Sequence, residues 1–435
     1  MDVFPPGYEV SQTTWLYLSV VLIVAVYFRF HRFWSLRNLD LCLLTAASPA
    51  LLLVTDDSTR AIGFTWLFVV TGLILLRLLI DPVLRRRPHV GQNLNAPGLA
   101  FLCAAAFALL TMQSIRHSLP ASAAETLERA DHILQGEEHP AEVAGEVSAG
   151  PAAPLLVAPL GIVFEDLAAR VIAAVAHLAV ILGLVFLGRN LFGDMQLGQG
   201  MATLYLLLPC TAYDVGEVNH VLPAALTIWA VVAYRRPATA GVLLGLACGT
   251  MFFPLFLLPL WISFYGRRGA LRFILSLVIV GASLITVLAV TSADITSLLS
   301  KTLGTVNLDV LKFEVGDTTQ GFWTPEREAY RIPVLVAFLV MLVSLTVWPR
   351  RKNVEHLIGF SAAIIVGIQF WYPQQGGVYM LWYLPLLLAA MFRPRLMHLT
   401  PPDREAGEEV ARVRSKSDGK PGRPSSTFDR VHLFR

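Results

Sequence analysis

The stretch Ile62–Ile80, with the sequence IGFTWLFVVTGLILLRLLI, decides the fold class of this chain. Its only charged residue is Arg77. A helix needs about 20 mostly apolar residues to cross the hydrocarbon core of a bilayer, and this stretch meets that requirement. Three further runs have the same character, namely Trp15–Phe28, Ala168–Leu187 and Leu271–Thr291. The sequence therefore predicts an all-α membrane protein with several spanning helices.

The composition of the whole chain supports a membrane location. Of its 435 residues 55% are hydrophobic and 15% charged, and the mean hydropathy is +0.61, so lipid is the expected solvent. We predict 12 to 13 spans, at approximately 14–28, 39–54, 62–80, 97–112, 168–187, 197–212, 219–234, 237–250, 252–264, 271–292, 331–348, 354–371 and 377–392. Residues 1–12 lack the basic start of a cleavable signal peptide, so we expect the first span to be retained.

The distribution of arginine and lysine predicts the orientation of these spans. Short cytoplasmic loops collect basic residues. In this chain the clusters follow alternate spans: Arg29, Arg32 and Arg37; Arg85–Arg87; Arg235 and Arg236; Arg267 and Arg268; Arg350, Arg351 and Lys352. We therefore predict a multi-pass cell-membrane protein with its N-terminus outside the cytoplasm and its C-terminus inside.

The chain divides into three predicted regions. Residues 1–96 form N-terminal accessory spans, 97–392 a transmembrane core, and 393–435 a disordered cytoplasmic tail that is too polar to fold. Within the core, 113–167 is an extracytoplasmic loop rich in acidic residues. Its apolar segment Pro151–Phe164 is short and contains three prolines, which indicates an interfacial or re-entrant helix rather than a span.

Three polar groups on the predicted outer side are candidates for chemistry. The turn between two spans offers Asp214, Glu217, Asn219 and His220 as substrate-binding residues, or is an ordinary solvated turn. In the helical segment 124–134 the candidate carboxylates are Glu125, Glu128 and Asp131, or these residues form a solvated helix face. Arg331 begins a span and suits a phosphate, although an arginine at a helix end also snorkels to the interface.

Soluble-enzyme signatures such as a phosphate-binding loop, a dinucleotide fingerprint or a nucleophile elbow are missing from the sequence. A looser pattern is present. It comprises Asp214-Val-Gly-Glu-Val-Asn219, the small-residue run Ala240–Ala247, Phe253–Leu260, Ala130–Gly136 with Pro140, Gly150–Pro159, Gly367–Trp371 and Trp382–Pro385. In this order the motifs resemble the polyprenyl-phosphate-mannose-dependent mannosyltransferases of the GT-C membrane glycosyltransferase class and their bacterial relatives.

The resemblance implies a GT-C-like core that moves a sugar, mannose or another hexose, from a polyprenyl-phosphate donor to an extracytoplasmic acceptor. The catalytic aspartate of the family has no counterpart directly after the fourth span, so its role would pass to Glu125, Glu128 or Asp131. The resemblance further implies that Asp214, Glu217, Asn219, His220 and Arg331 hold sugar or phosphate oxygens. A divalent metal is optional in such chemistry. The expected partners are the lipid donor and membrane lipid, with no nucleic acid, and the oligomeric state is left open.

The chain also departs from the family pattern. Glu217 stands where the family has glutamine, Met251 where it has lysine, and the tyrosine of its Pro-Tyr motif is missing. Two alternatives therefore stay open, a relative of these enzymes that has lost catalysis and a lipid-precursor flippase or other transporter. A transporter typically carries charges in mid-span facing a cavity. Here only Asp40 and Arg77, both near span ends, come close to that pattern.

Overall fold

A computed structural model describes residues 12–83, 92–116, 119–135, 150–164, 167–290 and 321–402. These residues form helices, short 3-10 turns and loops, with no strand in the described ranges. The helices are α1 Gln12–Tyr27, α2 Leu36–Ala46, α3 Ser48–Thr55, α4 Arg60–Ile80, α5 Ala96–Arg116, α6 Ala121–Gln135, α7 Ala152–Phe164, α8 Ala168–Asn190, α9 Met195–Leu207, α10 Pro209–Tyr213, α11 Val218–Val232, α12 Pro237–Thr250, α13 Leu258–Phe264, α14 Arg267–Val290, α15 Arg331–Val347, α16 Val354–Trp371 and α17 Leu384–Phe392.

The predicted fold class, an all-α polytopic membrane protein, is confirmed. Seven helical segments in the described ranges are long and apolar enough to cross a bilayer: Leu36–Thr55, Arg60–Ile80, Ala96–Arg116, Ala168–Asn190, Arg267–Val290, Pro325–Val347 and Val354–Trp371. Five further apolar helices are shorter, and α7 is one of them. The basic cluster Arg85–Arg87, the acidic residues Glu137 to Glu146, the pair Glu165 and Asp166, and the tail 403–435 lie outside the described residues.

Prolines explain why several predicted spans form shorter pieces. Pro209 separates α9 from α10, because a proline cannot donate the backbone hydrogen bond that would continue the helix. Pro254 lies in a 3-10 turn, Phe253–Leu257, that precedes α13. Between α2 and α3 the break is followed by Ser48 and then Pro49, which occupies the first turn of α3. A proline is tolerated in a first turn, since the backbone N–H that it lacks would have no partner within the helix there.

The core of the bundle is built around α16. In that helix 89% of the span is buried inside the protein, whereas in α14 the share is 6%. The helix α14 packs mainly against α12, where Gly241, Gly245 and Gly249 recur every four residues and so share one face. A Cβ atom at Gly241 would overlap the backbone carbonyl oxygen of Phe273, so glycine allows the two helices to approach closely.

One end of the bundle is tied together by buried ion pairs. Arg77 on α4 forms two hydrogen bonds to Asp40 on α2, of 2.7 and 2.9 Å, and one of 3.0 Å to Asp81. Asp81 also accepts a bond of 2.5 Å from Arg393, which follows α17 and lies 2.9 Å from Glu355 on α16. Asp40 and Arg77, the two charges that the sequence places nearest to mid-span, thus neutralise one another.

Candidate functional site

The turn at 214–217 joins α10 to α11 and is held in place by a buried histidine. His177 on α8 donates from Nε2 to the carbonyl oxygen of Val215 at 3.1 Å, since a carbonyl can only accept. Its Nδ1 then accepts from the hydroxyl of Tyr205, at 2.8 Å. This chain of bonds crosses from α9 through α8 to the turn, so the backbone of the turn is fixed relative to two helices.

Two polar contacts join this turn to the acidic helix α6. The Ser122 hydroxyl donates to the carboxylate of Glu217. One helical turn further along α6, Thr126 and the buried Asn219 side chain are hydrogen-bonded at 3.1 Å. The turn and the acidic helix, which were separate candidates in the sequence, are therefore in direct contact.

His220 lies in the first turn of α11, directly after the 214–217 turn, among the rings of Tyr372, Tyr379 and Trp382, which we call the aromatic cluster. Its Nδ1 accepts from the indole N–H of Trp382 at 2.8 Å, and its Nε2 is 4.0 Å from the Glu217 carboxylate. The His220 ring stacks on Tyr379, with ring centroids 5.0 Å apart. The side chain is buried, so its position is set by packing as much as by hydrogen bonds.

Arg331 occupies a different part of the same aromatic cluster. Its Nε donates to the carbonyl oxygen of Trp371 at 2.7 Å, and the side chain is buried. The ring of the next residue, Tyr372, lies 6.1 Å from that of Trp382 between centroids, and Trp382 bonds His220. Arg331 and His220 are thus linked through aromatic side chains.

Of the three predicted catalytic carboxylates on α6, one forms an ion pair on the helix and the other two line one recess. Glu125 forms an ion pair with Arg129 on the same helix. Glu128 and Asp131 line an open recess of about 420 Å³, whose remaining lining is Leu119, Ala124, Leu127 and Arg170. The guanidinium of Arg170 donates to the carbonyl oxygen of Ile115 at 3.1 Å, which links the start of α8 to the end of α5.

The structure therefore places six of the eight predicted site residues in three groups, while Glu125 is held in its own ion pair and Asp214 is buried in the turn. Glu128 and Asp131 share the recess. Glu217, Asn219 and His220 surround the contact between α6 and the 214–217 turn, on the Ser122 side of α6. The third group is the aromatic cluster, where Arg331 at the start of α15 donates to the backbone at the end of α16.

Arg170 lies in the recess but was not predicted from the sequence. The available signal was a single arginine in the first turn of an otherwise apolar span. An arginine at the end of a span faces either the membrane–water interface or a polar partner, because it is costly to expose its charge to hydrocarbon. Here it lies at the recess beside two carboxylates.

Asp214 is buried in the turn, and burial raises the pKa of its carboxyl group well above the usual range. The nearby Glu217 carboxylate raises this pKa further, because two like charges disfavour ionisation. A carboxyl group in this state serves better as a proton donor in a hydrogen bond than as an anion.

Within the described ranges, no group of three or more His, Cys, Asp and Glu side chains is placed to hold a metal ion. The expectation that the chemistry needs no cofactor and no obligatory metal stays a prediction.

Comparison of the chain with protein-family models, with curated proteins and with solved structures finds no match in any of the three. The resemblance to the GT-C glycosyltransferases, and with it the implied donor and acceptor, therefore stays a prediction.

Proposed function

We propose that this chain is a membrane glycosyltransferase that moves a sugar from a polyprenyl-phosphate donor to an extracytoplasmic acceptor. The observation that supports the proposal is the recess in which Glu128, Asp131 and Arg170 lie together beside apolar residues. It combines carboxylates, a cation and an apolar wall, which are the three properties that a reaction of a lipid phosphate requires.

The chemistry assigns a role to each charged group. In the transfer, an acceptor oxygen forms a bond to the anomeric carbon of the sugar, and the bond from that carbon to the phosphate oxygen breaks. The acceptor proton passes to Glu128 or Asp131 as general base. The departing polyprenyl phosphate takes the electron pair, and Arg170 stabilises its charge through planar N–H donors.

The residues around the turn have a supporting role in this proposal. Ser122 and Thr126 fix α6 against Glu217 and Asn219, which sets the position of the helix that carries the recess carboxylates. Asp214, His220 and Arg331 are proposed to contact sugar or phosphate oxygens only if the substrate extends from the recess toward the aromatic cluster.

The test uses purified chain in lipid nanodiscs with radiolabelled polyprenyl-phosphate mannose and a detergent extract of cell envelope as acceptor. We expect label to move from the lipid into the acceptor fraction. Glu128→Gln, Asp131→Asn and Arg170→Gln each remove a recess charge, and at least one of the two carboxylate variants should lower the rate by about 10²-fold or more. Glu326→Gln is the matched control, because that carboxylate is exposed and belongs to a 3-10 turn remote in sequence from the recess.

Three outcomes separate the alternatives. Equal rates in wild type and all three recess variants would contradict the proposed site. Binding of the donor without turnover, for polyprenyl-phosphate mannose and glucose alike, would favour a relative that has lost catalysis. Movement of labelled lipid between leaflets of a proteoliposome, without sugar transfer, would favour a flippase.

A further inference from the structure

The loop between α1 and α2 exposes a group of aromatic and basic side chains that the proposed function does not use. Residues Arg29 to Trp34 have the sequence RFHRFW, and all six are exposed. The exposed fractions are 70% for Phe30, 58% for Phe33 and 96% for Trp34. We call this group, residues 29–34, the aromatic–basic loop.

The backbone of this loop is held in one conformation by the buried side chain of Asn38. Its Nδ2 donates to the carbonyl oxygens of Arg29, Arg32 and Phe33 at 3.0 to 3.1 Å. Its Oδ1 accepts from the Arg29 backbone N–H at 3.2 Å. The Asn93 side chain donates a bond of 3.2 Å to the carbonyl oxygen just before the loop, at position 28, so the start of the loop is fixed from a second side.

The exposed rings contact one another rather than the core. Phe33 lies edge-on to Phe28 and to Trp34, with ring centroids 5.6 and 5.4 Å apart. Folding leaves these rings uncovered, although burying a ring of this size in an apolar medium is worth about 1.5–3 kcal/mol. Tryptophan exposed to this degree at the end of a span is typical of the boundary between lipid and water.

Both arginines of the aromatic–basic loop are exposed cations, and the loop contains no carboxylate. In the described part of the chain neither Arg29 nor Arg32 forms an ion pair with a carboxylate, and Arg29 repels the buried Arg37. A cluster of cations beside uncovered aromatic rings is complementary to a surface that is anionic outside and apolar beneath. The apolar exposed face of α1, with Tyr17 and Val21, continues from the loop into the region expected to face lipid.

We propose that the aromatic–basic loop is a binding site for the headgroup of an anionic phospholipid. In this site Arg29 and Arg32 contact the headgroup phosphate, and Phe30, Phe33 and Trp34 lie among the first carbons of the acyl chains. The partner is a lipid and not a free anion, because the rings would otherwise remain in water. The proposal holds whether or not the chain transfers a sugar.

The test measures lipid binding to the full chain in mild detergent by native mass spectrometry. The probes are phosphatidylglycerol and phosphatidylcholine with identical acyl chains. We expect tighter binding of phosphatidylglycerol to wild type, and a loss of about 30-fold in the affinity of that site in the double variant Arg29→Gln with Arg32→Gln, at about fivefold for each cation. The matched control is Arg267→Gln with Arg268→Gln, which removes two exposed arginines from the start of α14 and should leave the site unchanged.

A second variant tests the aromatic contribution, Phe30→Ser with Trp34→Ser, and should weaken the binding of phosphatidylglycerol while leaving the charge intact. All the replaced side chains are exposed, so the variants should elute and melt like wild type. Equal losses in the Arg29/Arg32 variant and in the control would overturn the proposal, since binding would then follow total charge. Displacement of the lipid by inorganic phosphate alone would also overturn it, in favour of a free-anion site.

Discussion

Asp214 shows how burial at a single residue should set a pH dependence. Because its pKa is raised in the folded chain, the carboxyl group stays protonated after the unfolded chain, with a pKa of about 3.9, has ionised. The stability that this carboxyl group contributes is therefore fully present below about pH 4. It falls as the pH rises toward the pKa of Asp214 in the folded chain. Asp214→Asn should remove that loss, so the variant should gain Tm relative to wild type at about pH 8 but not at about pH 4.

The measurement is thermal unfolding of both proteins in the same detergent across that range. Asp57→Asn serves as control, because Asp57 is exposed and pairs with Arg60 on the surface. If Asp214→Asn lowered Tm by the same amount at every pH, the carboxyl group would have a structural role independent of its ionisation.

The pairing of Arg77 with Asp40 and Asp81 predicts a large cost for breaking it. Arg77→Met leaves two buried carboxylates without this cation, and the expected loss is about 3–5 kcal/mol in the free energy of unfolding. Adding Asp40→Asn to Arg77→Met should recover part of that loss, since one of the two carboxylates is then neutral. Chemical unfolding in mixed micelles measures the free energy of unfolding of the two single variants and of the double variant. If the double variant lost the sum of the two single losses, the two residues would not interact.

Residue pairs of this kind could not be predicted from the sequence. Arg77 and Asp40 were both recognised as unusual, but they are 37 positions apart and their pairing depends on how α2 and α4 are rotated. The same applies to Ser122 and Glu217, which are 95 positions apart. Arg170 could not be predicted either, because the carboxylates with which it shares the recess lie on α6, and the packing of α6 beside α8 is not visible in the sequence.

At the scale of elements, the three glycines of α12 predict a steric effect. Gly241→Ala places a Cβ against the backbone carbonyl of Phe273, which cannot rotate away, so α14 must shift. We expect a loss of about 1–3 kcal/mol, as for overpacking elsewhere. Gly281→Ala is the matched control, because nothing lies within 4 Å of its added Cβ.

Both variants lose one glycine from a helix, which by itself stabilises by about 0.5–1 kcal/mol. Gly281→Ala should therefore melt at or slightly above the wild-type temperature, and Gly241→Ala below it. Similar melting temperatures for the two variants would mean that α12 and α14 are not closely packed in the membrane.

Most elements could be predicted because hydropathy reports them directly. The run Ile62–Ile80 lies within α4, and the helix expected at 124–134 forms as Ala121–Gln135. The lengths were less predictable. Apolar composition continues through Pro209 and Pro254, where the backbone leaves the α-helix, so two predicted spans are divided into shorter pieces.

For the whole molecule, the distribution of basic residues predicts which side each loop occupies. In a background with Cys42, Cys103, Cys210 and Cys248 replaced by Ala, single cysteines introduced at Asp57 and Glu326 should react with an impermeant maleimide in intact cells. A cysteine introduced at Arg351 should react only after permeabilisation. Labelling of Asp57→Cys and Arg351→Cys under the same conditions would contradict the proposed orientation.

The burial of α16 has a consequence for biosynthesis. Fifteen of the described helices precede it in the chain, yet it fills the middle of the finished bundle. Those earlier segments are synthesised first, and they remain incompletely packed in the bilayer until α16 is inserted. We therefore expect the bundle to assemble late in translation. Until Val354 emerges, the insertion machinery or a chaperone would have to protect the earlier helices from wrong contacts.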